Sequence, residues 1–254
     1  MSLDKQLKAE YQDKIVWITG VGQGIGLSTA KQFSALGAKV IGFDKHFSDA
    51  SVLYKSVQCD LSNLLELEQI LAELISSGLA PYNLINVAGV LEYDSIDALT
   101  TEQWLHCHTV NCSAVFLFIQ ACYNNFKQNK AGSIVTVGSN AAQTPRQKMA
   151  AYCASKAAVT QLTLTAGLEL ANYGIRCNVI APGSTLTPMQ TGMWQDDSGA
   201  QNVIDGFAKE YKLGIPLQKI ATPDEMAHSI VFIASNLSSH TTMQVIAIDG
   251  GATF

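Results

Sequence analysis

Positive charge is scarce in this sequence: 16 lysines and arginines stand against 21 aspartates and glutamates, for a formal net charge of −5. Nucleic-acid backbones are bound through concentrated basic surface, so no nucleic-acid partner is expected. No uninterrupted run of about 18 apolar residues occurs, which argues against a membrane span. The stretch from Met1 to Asp13 lacks the basic start and apolar run of a secretory leader, so the expected location is the cytoplasm. None of the six cysteines belongs to a C-x-x-C pair. His106, Cys107 and His108 crowd together, but in a helical stretch whose spacing fits no zinc pattern. No metal is expected, and the thiols read as buried and reduced.

What the sequence does contain is a core. Hydrophobic residues make up 48% of the 254 positions, and no linker or repeat divides them. Short apolar runs at Lys14–Thr19, Lys39–Phe43, Val52–Cys59, Asn83–Val87, Ser133–Val137, Arg176–Ala181 and Val245–Ile248 read as strands. Helical patterns alternate with them. One runs from Ile25 to Leu36 and one starts at a Ser62 cap, while a long one follows the Thr100/Gln103 capping box through Phe126. Two more cover Ala150–Tyr173 and the segment after Thr222-Pro223. Repeated β-α-β units with buried strands imply an α/β fold: a single doubly wound parallel sheet with helices on both faces, in one domain over 1–254.

Between the first strand and first helix lies Thr19-Gly20-Val21-Gly22-Gln23-Gly24-Ile25-Gly26. Glycine lets backbone approach a pyrophosphate, and the helix N-terminus offers free N–H groups. Asp44 ends the second strand, where an acid accepts bonds from ribose hydroxyls and repels a 2′-phosphate, favouring NAD over NADP. Lys45 and His46 follow it and would serve a phosphate if Asp44 turned away. Tyr152 and Lys156 share one helix face, so a phenol and an ammonium can act on one site, the cation lowering the phenol's pKa. Ser139 follows the fifth strand at the ligand-binding end of a parallel sheet. Asn111 interrupts an apolar stretch, either as a site residue or as a satisfied core amide.

With Asp60-Leu61, Asn86-Val87-Ala88-Gly89, Pro182-Gly183 and Asp249-Gly250-Gly251 added, these elements resemble the short-chain dehydrogenase/reductase family over nearly the whole chain. The resemblance implies a Rossmann-type fold and a catalytic tetrad of Asn111, Ser139, Tyr152 and Lys156. Tyr152 would be the acid/base and Ser139 the binder of the substrate oxygen. Lys156 would hold the nicotinamide ribose, and Asn111 would support a proton-relay water. It places NAD against Gly20, Gln23, Gly24, Ile25, Gly26, Asp44, Asp60, Leu61, Asn86, Ala88, Gly89, Tyr152, Lys156, Pro182, Gly183 and Thr185. Val87 departs from the family's usual second asparagine.

Within that family, Gly42-Phe43-Asp44, Thr144-Pro145-Arg146, Gly183-Ser184-Thr185 and Lys212–Leu217 resemble the 2,3-dihydro-2,3-dihydroxybenzoate dehydrogenases of catecholate siderophore biosynthesis. That resemblance implies NAD, a small carboxylated cyclohexadiene diol as substrate, and a homotetramer. An arginine grips a carboxylate with two parallel bonds, so Arg146 is the candidate carboxylate partner, the alternatives being a solvated loop arginine or one serving a subunit contact. Met189, Met193 and Trp194 fall in a segment around 184–212 expected to cover the substrate, against an apolar ring face. Two alternatives stay open: a reductase of another carbonyl, such as a 3-oxoacyl thioester or sugar, and a nucleotide sensor without turnover. Asp44 weighs against NADPH-driven versions of the first, and the filled tetrad against the second.

Overall fold

The computed structural model describes residues 2–194 and 196–253. Met1, Gln195 and Phe254 lie outside the described residues; Met1 belongs to the N-terminal stretch read above and Gln195 to the expected covering segment.

The chain opens with α1 (Leu3–Tyr11), a polar helix that the hydrophobic pattern does not announce, because it buries chiefly Tyr11. The Tyr11 ring meets Phe33 edge-on at 5.0 Å between centroids. There follow β1 (Ile15–Thr19), α2 (Gly24–Ala35), β2 (Lys39–Asp44), β3 (Lys55–Gln58) and α3 (Leu64–Ser76). The cap of α3 is Asn63, which accepts from the Glu66 amide at 3.3 Å. The expected cap, Ser62, instead donates to Asp60 at 2.7 Å, because that carboxylate closes the turn first.

Next come β4 (Asn83–Asn86), α4 (Thr101–His108), α5 (Ala114–Asn129), β5 (Ser133–Val137), α6 (Ala150–Leu170) and β6 (Arg176–Pro182). Both halves of the Thr100/Gln103 capping box form. One turn of π-helix at Thr109–Ser113 joins α4 to α5, and such insertions concentrate at functional sites. The whole stretch Thr101–Asn129 is long and apolar enough to cross a membrane by length and composition, although no uninterrupted apolar run marks it. Here half of its most apolar window is buried inside the protein, with Phe118 and Phe126 in the core. The chain closes with α7 (Pro188–Thr191), α8 (Gly199–Asp205), the two-residue strands β7 (Gly206–Phe207) and β8 (Lys212–Leu213), α9 (Pro223–Ala234) and β9 (Val245–Ile248).

Seven parallel strands lie in the order β3-β2-β1-β4-β5-β6-β9. Side-chain alternation in β1 divides the core: Val16 and Ile18 pack with α1, α2 and α9, while Trp17 packs with α3, α5 and α6. The strand order reverses between β1 and β4. Open parallel sheets bind ligands at that switch point, beyond the carboxyl ends of the strands.

Candidate active site

A cavity of about 880 Å³ opens at that end of the sheet. Its size falls in the range of small-molecule sites, roughly 300–1,000 Å³. One wall is the glycine loop. Gly20 takes φ 75°, and a Cβ there would stand 2.8 Å from the Ala88 backbone; one on Gly26 would stand 2.0 Å from the Gly20 carbonyl. The loop therefore lies flat against its neighbours and presents backbone at the start of α2, a cradle that fits a pyrophosphate. Thr19 braces it from behind, its hydroxyl accepting from the Val87 and Ala88 amides at 3.0 Å each. Val87 thus needs no side-chain bond to hold the turn.

Asp44 lines the cavity beside this loop, accepting from the Gly22 amide at 2.8 Å and the His46 amide at 3.3 Å. Lys45 is turned to Asp60, its ammonium 2.9 Å from the carboxylate. Burial pushes the Asp60 carboxyl up, but two bonds from Ser62 and the Lys45 charge outweigh it and hold it at about 2.

Tyr152 and Lys156 sit one turn apart at the start of α6, on the cavity floor. The Ser139 hydroxyl accepts from the Ala141 amide at 3.1 Å and stands close enough to the Tyr152 phenol to pull its pKa down. Lys156 Nζ donates to the Val137 carbonyl at 2.8 Å and lies 5.8 Å from the Tyr152 ring centre. The expected lowering of the phenol does not occur in the pocket as it stands. Burial pushes Tyr152 up to about 12, the Ser139 hydroxyl only partly opposing it, and burial pulls Lys156 down to about 8. Loss of water penalises both charged forms more than their separation lets them help each other.

Two expected site residues stand behind the wall instead of on it. The cavity lining includes every other residue anticipated above, but neither Asn86 nor Asn111. Asn86 is buried and donates to Thr136 Oγ1 at 3.3 Å, tying β4 to β5. Asn111, in the π turn, accepts from the Val90 amide at 2.8 Å and donates to the Val90 carbonyl and Ser155 Oγ, each at 2.9 Å. Ser155 in turn donates to the Tyr152 carbonyl at 2.8 Å. Asn111 therefore clamps the loop after β4 to the first turn of α6. The core-amide alternative describes its bonding better than a direct site role.

The far end of the cavity is lined by Arg146, Met189, Met193 and Trp194, with Glu210 and Lys212 from the hairpin. The buried Trp194 Nε1 has no bonding partner among the described residues. Glu210 carries no signal in the sequence, and Lys212 enters there only as the first residue of the resembling segment Lys212–Leu217, since two-residue strands leave no periodicity to read. His106 Nδ1 lies 2.9 Å from Glu92 and Cys107 Sγ 3.5 Å from Ser155, so the His106–His108 run disperses. Among the described residues no group of three or more metal-ligating side chains forms.

Residues 20–253 match a family model described as enoyl-(acyl carrier protein) reductase. The chain is 44% identical to the 2,3-dihydro-2,3-dihydroxybenzoate dehydrogenase of Escherichia coli (strain K12), covering 96% of this chain and 98% of that one. It is 39% identical to the enzyme of the same name from Bacillus subtilis (strain 168), over 95% and 97%. Among solved structures, a short chain dehydrogenase from Leptospira borgpetersenii with bound NAD+ superposes with a TM-score of 0.86 at 28% identity, covering 100% of this chain and 98% of that one. With a parallel sheet reversing at its switch point, a glycine-rich cradle and a Ser139–Tyr152–Lys156 floor, the chain belongs to the short-chain dehydrogenase/reductase family.

Proposed function

We propose that this protein oxidises 2,3-dihydro-2,3-dihydroxybenzoate to 2,3-dihydroxybenzoate with NAD, in catecholate siderophore biosynthesis. The observation that carries the reading is the Ser139, Tyr152 and Lys156 side chains lining one cavity, between the glycine cradle and an arginine-bearing pocket. The two relatives above, which share that activity by name, support the choice of substrate.

The cradle and Asp44 would hold the dinucleotide, with Gln23, Gly24, Ile25 and Gly26 along the phosphates and Asp60, Leu61, Ala88 and Gly89 toward the adenine. Pro182, Gly183 and Thr185 close the other side. Asp44 disfavours a 2′-phosphate, and Lys45 is neutralised by Asp60, which supports NAD over NADP. When bound, NAD supplies the two-electron acceptor. Ser139 positions the ring hydroxyl, and Tyr152, whose raised pKa a positively charged nicotinamide ring beside it would lower toward the phenolate, takes that hydroxyl's proton as general base. Lys156, fixed on the Val137 carbonyl, holds positive charge beneath the tyrosine where negative charge develops. Arg146 grips the carboxylate, and Met189 and Met193 cover the ring face. The resulting ring ketone tautomerises to the aromatic product, which pulls the reaction forward. Asn111 acts as a positioning residue, through Val90 and Ser155.

The same reading takes the chain as one domain with a covering segment at 184–212, acting as a homotetramer in the cytoplasm. Apolar side chains exposed on α4, α5 and α6 (Leu105, Phe116 and Leu168) support self-association, and six unpaired cysteines suit a reducing compartment. The test is NADH absorbance on mixing protein, NAD and the dihydrodiol acid, with NADP and Tyr152→Phe alongside. NADH is expected to form with NAD, and the variant is expected to lose about 10²–10⁴-fold in kcat. Full activity in the variant would remove Tyr152 as the base.

A further inference from the structure

Two cations share one end of the cavity, and no acid is ion-paired with either of them. Arg146 lies on the loop before α6, Lys212 is in β8, and both line the pocket. Neither takes part in an ion pair among the described residues. Asp249 stands near Arg146, but its oxygens already accept from Asn140 at 3.3 Å, Thr253 at 2.5 Å and the Gly251 amide at 3.0 Å. Glu210 stands near Lys212 without pairing to it.

Lys212 is also held in place. Phe207 pairs with it across the hairpin, and its Nζ lies 5.2 Å from the Phe207 ring centre. The hairpin is anchored in turn: the Ile215 amide donates to the Ile204 carbonyl at 2.8 Å, and Ile215 packs with Val203 and Ala252. A fixed ammonium loses less rotamer entropy on meeting a ligand than a free one. Burial destabilises the charge on both residues and Arg146 opposes the charge on Lys212 further, while Glu210 beside Lys212 and Asp249 beside Arg146 only partly offset this. Like charges in a half-dry pocket are relieved by an anion placed with them. The guanidinium supplies a planar fork and the ammonium a point charge, so one carboxylate satisfies both.

We propose that Lys212 is a second cationic partner of the substrate carboxylate, acting with Arg146, and that its hairpin selects carboxylated over neutral ring diols. This rests on the dihydrodiol-acid reading and adds the residue that sets its substrate class.

The experiment compares wild type, Lys212→Gln and Lys212→Arg, each with NAD, on 2,3-dihydro-2,3-dihydroxybenzoate and on 3,5-cyclohexadiene-1,2-diol, which lacks the carboxylate. Lys212→Gln is expected to raise KM for the acid about tenfold or more with little change in kcat. The preference for acid over neutral diol in kcat/KM should fall by about the same factor, and Lys212→Arg should restore most of it. An unchanged KM for the acid, or equal losses on both diols, would overturn the proposal. Calorimetric titration with benzoate separates this from turnover. Affinity about tenfold weaker in Lys212→Gln supports the anion site whether or not wild type oxidises either diol. Equal affinities in wild type and folded variants sink it. Failure of wild type to oxidise either diol would strike the dehydrogenase reading alone.

Discussion

Lys156 illustrates what a single residue carries here. Its ammonium is dry, bonded to one carbonyl, and pulled from the usual 10.5 down to about 8. The unfolded chain holds that proton more tightly, so below about 8 the folded state bears the whole cost; between 8 and 10.5 stability rises with pH as the cost disappears. Lys156→Met is therefore expected to abolish turnover and yet raise the Tm at pH 7 by about 3–6 °C, a gain that closes by the ordinary lysine range. Thermal melts across pH decide it. A lower Tm at pH 7 would mean that the Val137 bond outweighs desolvation. At this scale the sequence was informative about identity and silent about environment. The Tyr152/Lys156 spacing and the glycine run are visible in one dimension. The burial that pushes Tyr152 up to about 12 comes from residues scattered along the chain, and no local pattern reports it.

Among the elements, α9 depends on a distant side chain. Arg176, buried in β6, donates to the carbonyls of Ile233 at 2.7 Å, Ala234 at 2.8 Å and Ser235 at 2.9 Å, closing the C-terminal end of that helix. A cation there also meets the negative end of the helix dipole. Arg176→Met removes those three bonds, leaving the carbonyls of Ile233 and Ser235 to Ser238 and that of Ala234 to Asn83 and Ser133, and is expected to cost about 3 kcal/mol, read as a Tm lower by roughly 6–12 °C. A change under about 1 kcal/mol in denaturant titration would show that water replaces the guanidinium. The start of α9 was legible, because Thr222-Pro223 and Glu225 are local signals and both halves of that capping box form. Its end was not, because the capping group lies in another strand. The same contrast separates β5, read to the residue, from the β7–β8 hairpin, which has too few residues to carry a pattern. Asn111 falls between the two: its polar character stands out in an apolar run, but the π turn that aims it at Val90 does not.

For the whole molecule, the apolar side chains left on α4, α5 and α6 make association the testable property. Leu168 is 67% exposed and Phe116 45%. Light scattering is expected to give a mass four times the chain's 27.2 kDa, and Leu168→Glu with Phe116→Glu to lower it. A monomer at micromolar concentration would refute the tetramer, and an unchanged mass in the double variant would move the interface elsewhere. The doubly wound sheet was the most legible feature of all, since its strands are short apolar runs spaced by helical patterns. Strand order was not legible from spacing alone; it follows from how right-handed crossovers place each successive strand.

That order bears on how the molecule is made. In chain order, β1 forms first and ends at the middle of the sheet; β2 and β3 are laid outward on one side, then β4, β5, β6 and β9 outward on the other. Each strand emerging from a ribosome meets an open edge, and none has to be threaded between two neighbours already paired. Synthesis from the N-terminus and assembly of the sheet can thus proceed together, with one growing edge exposed at a time.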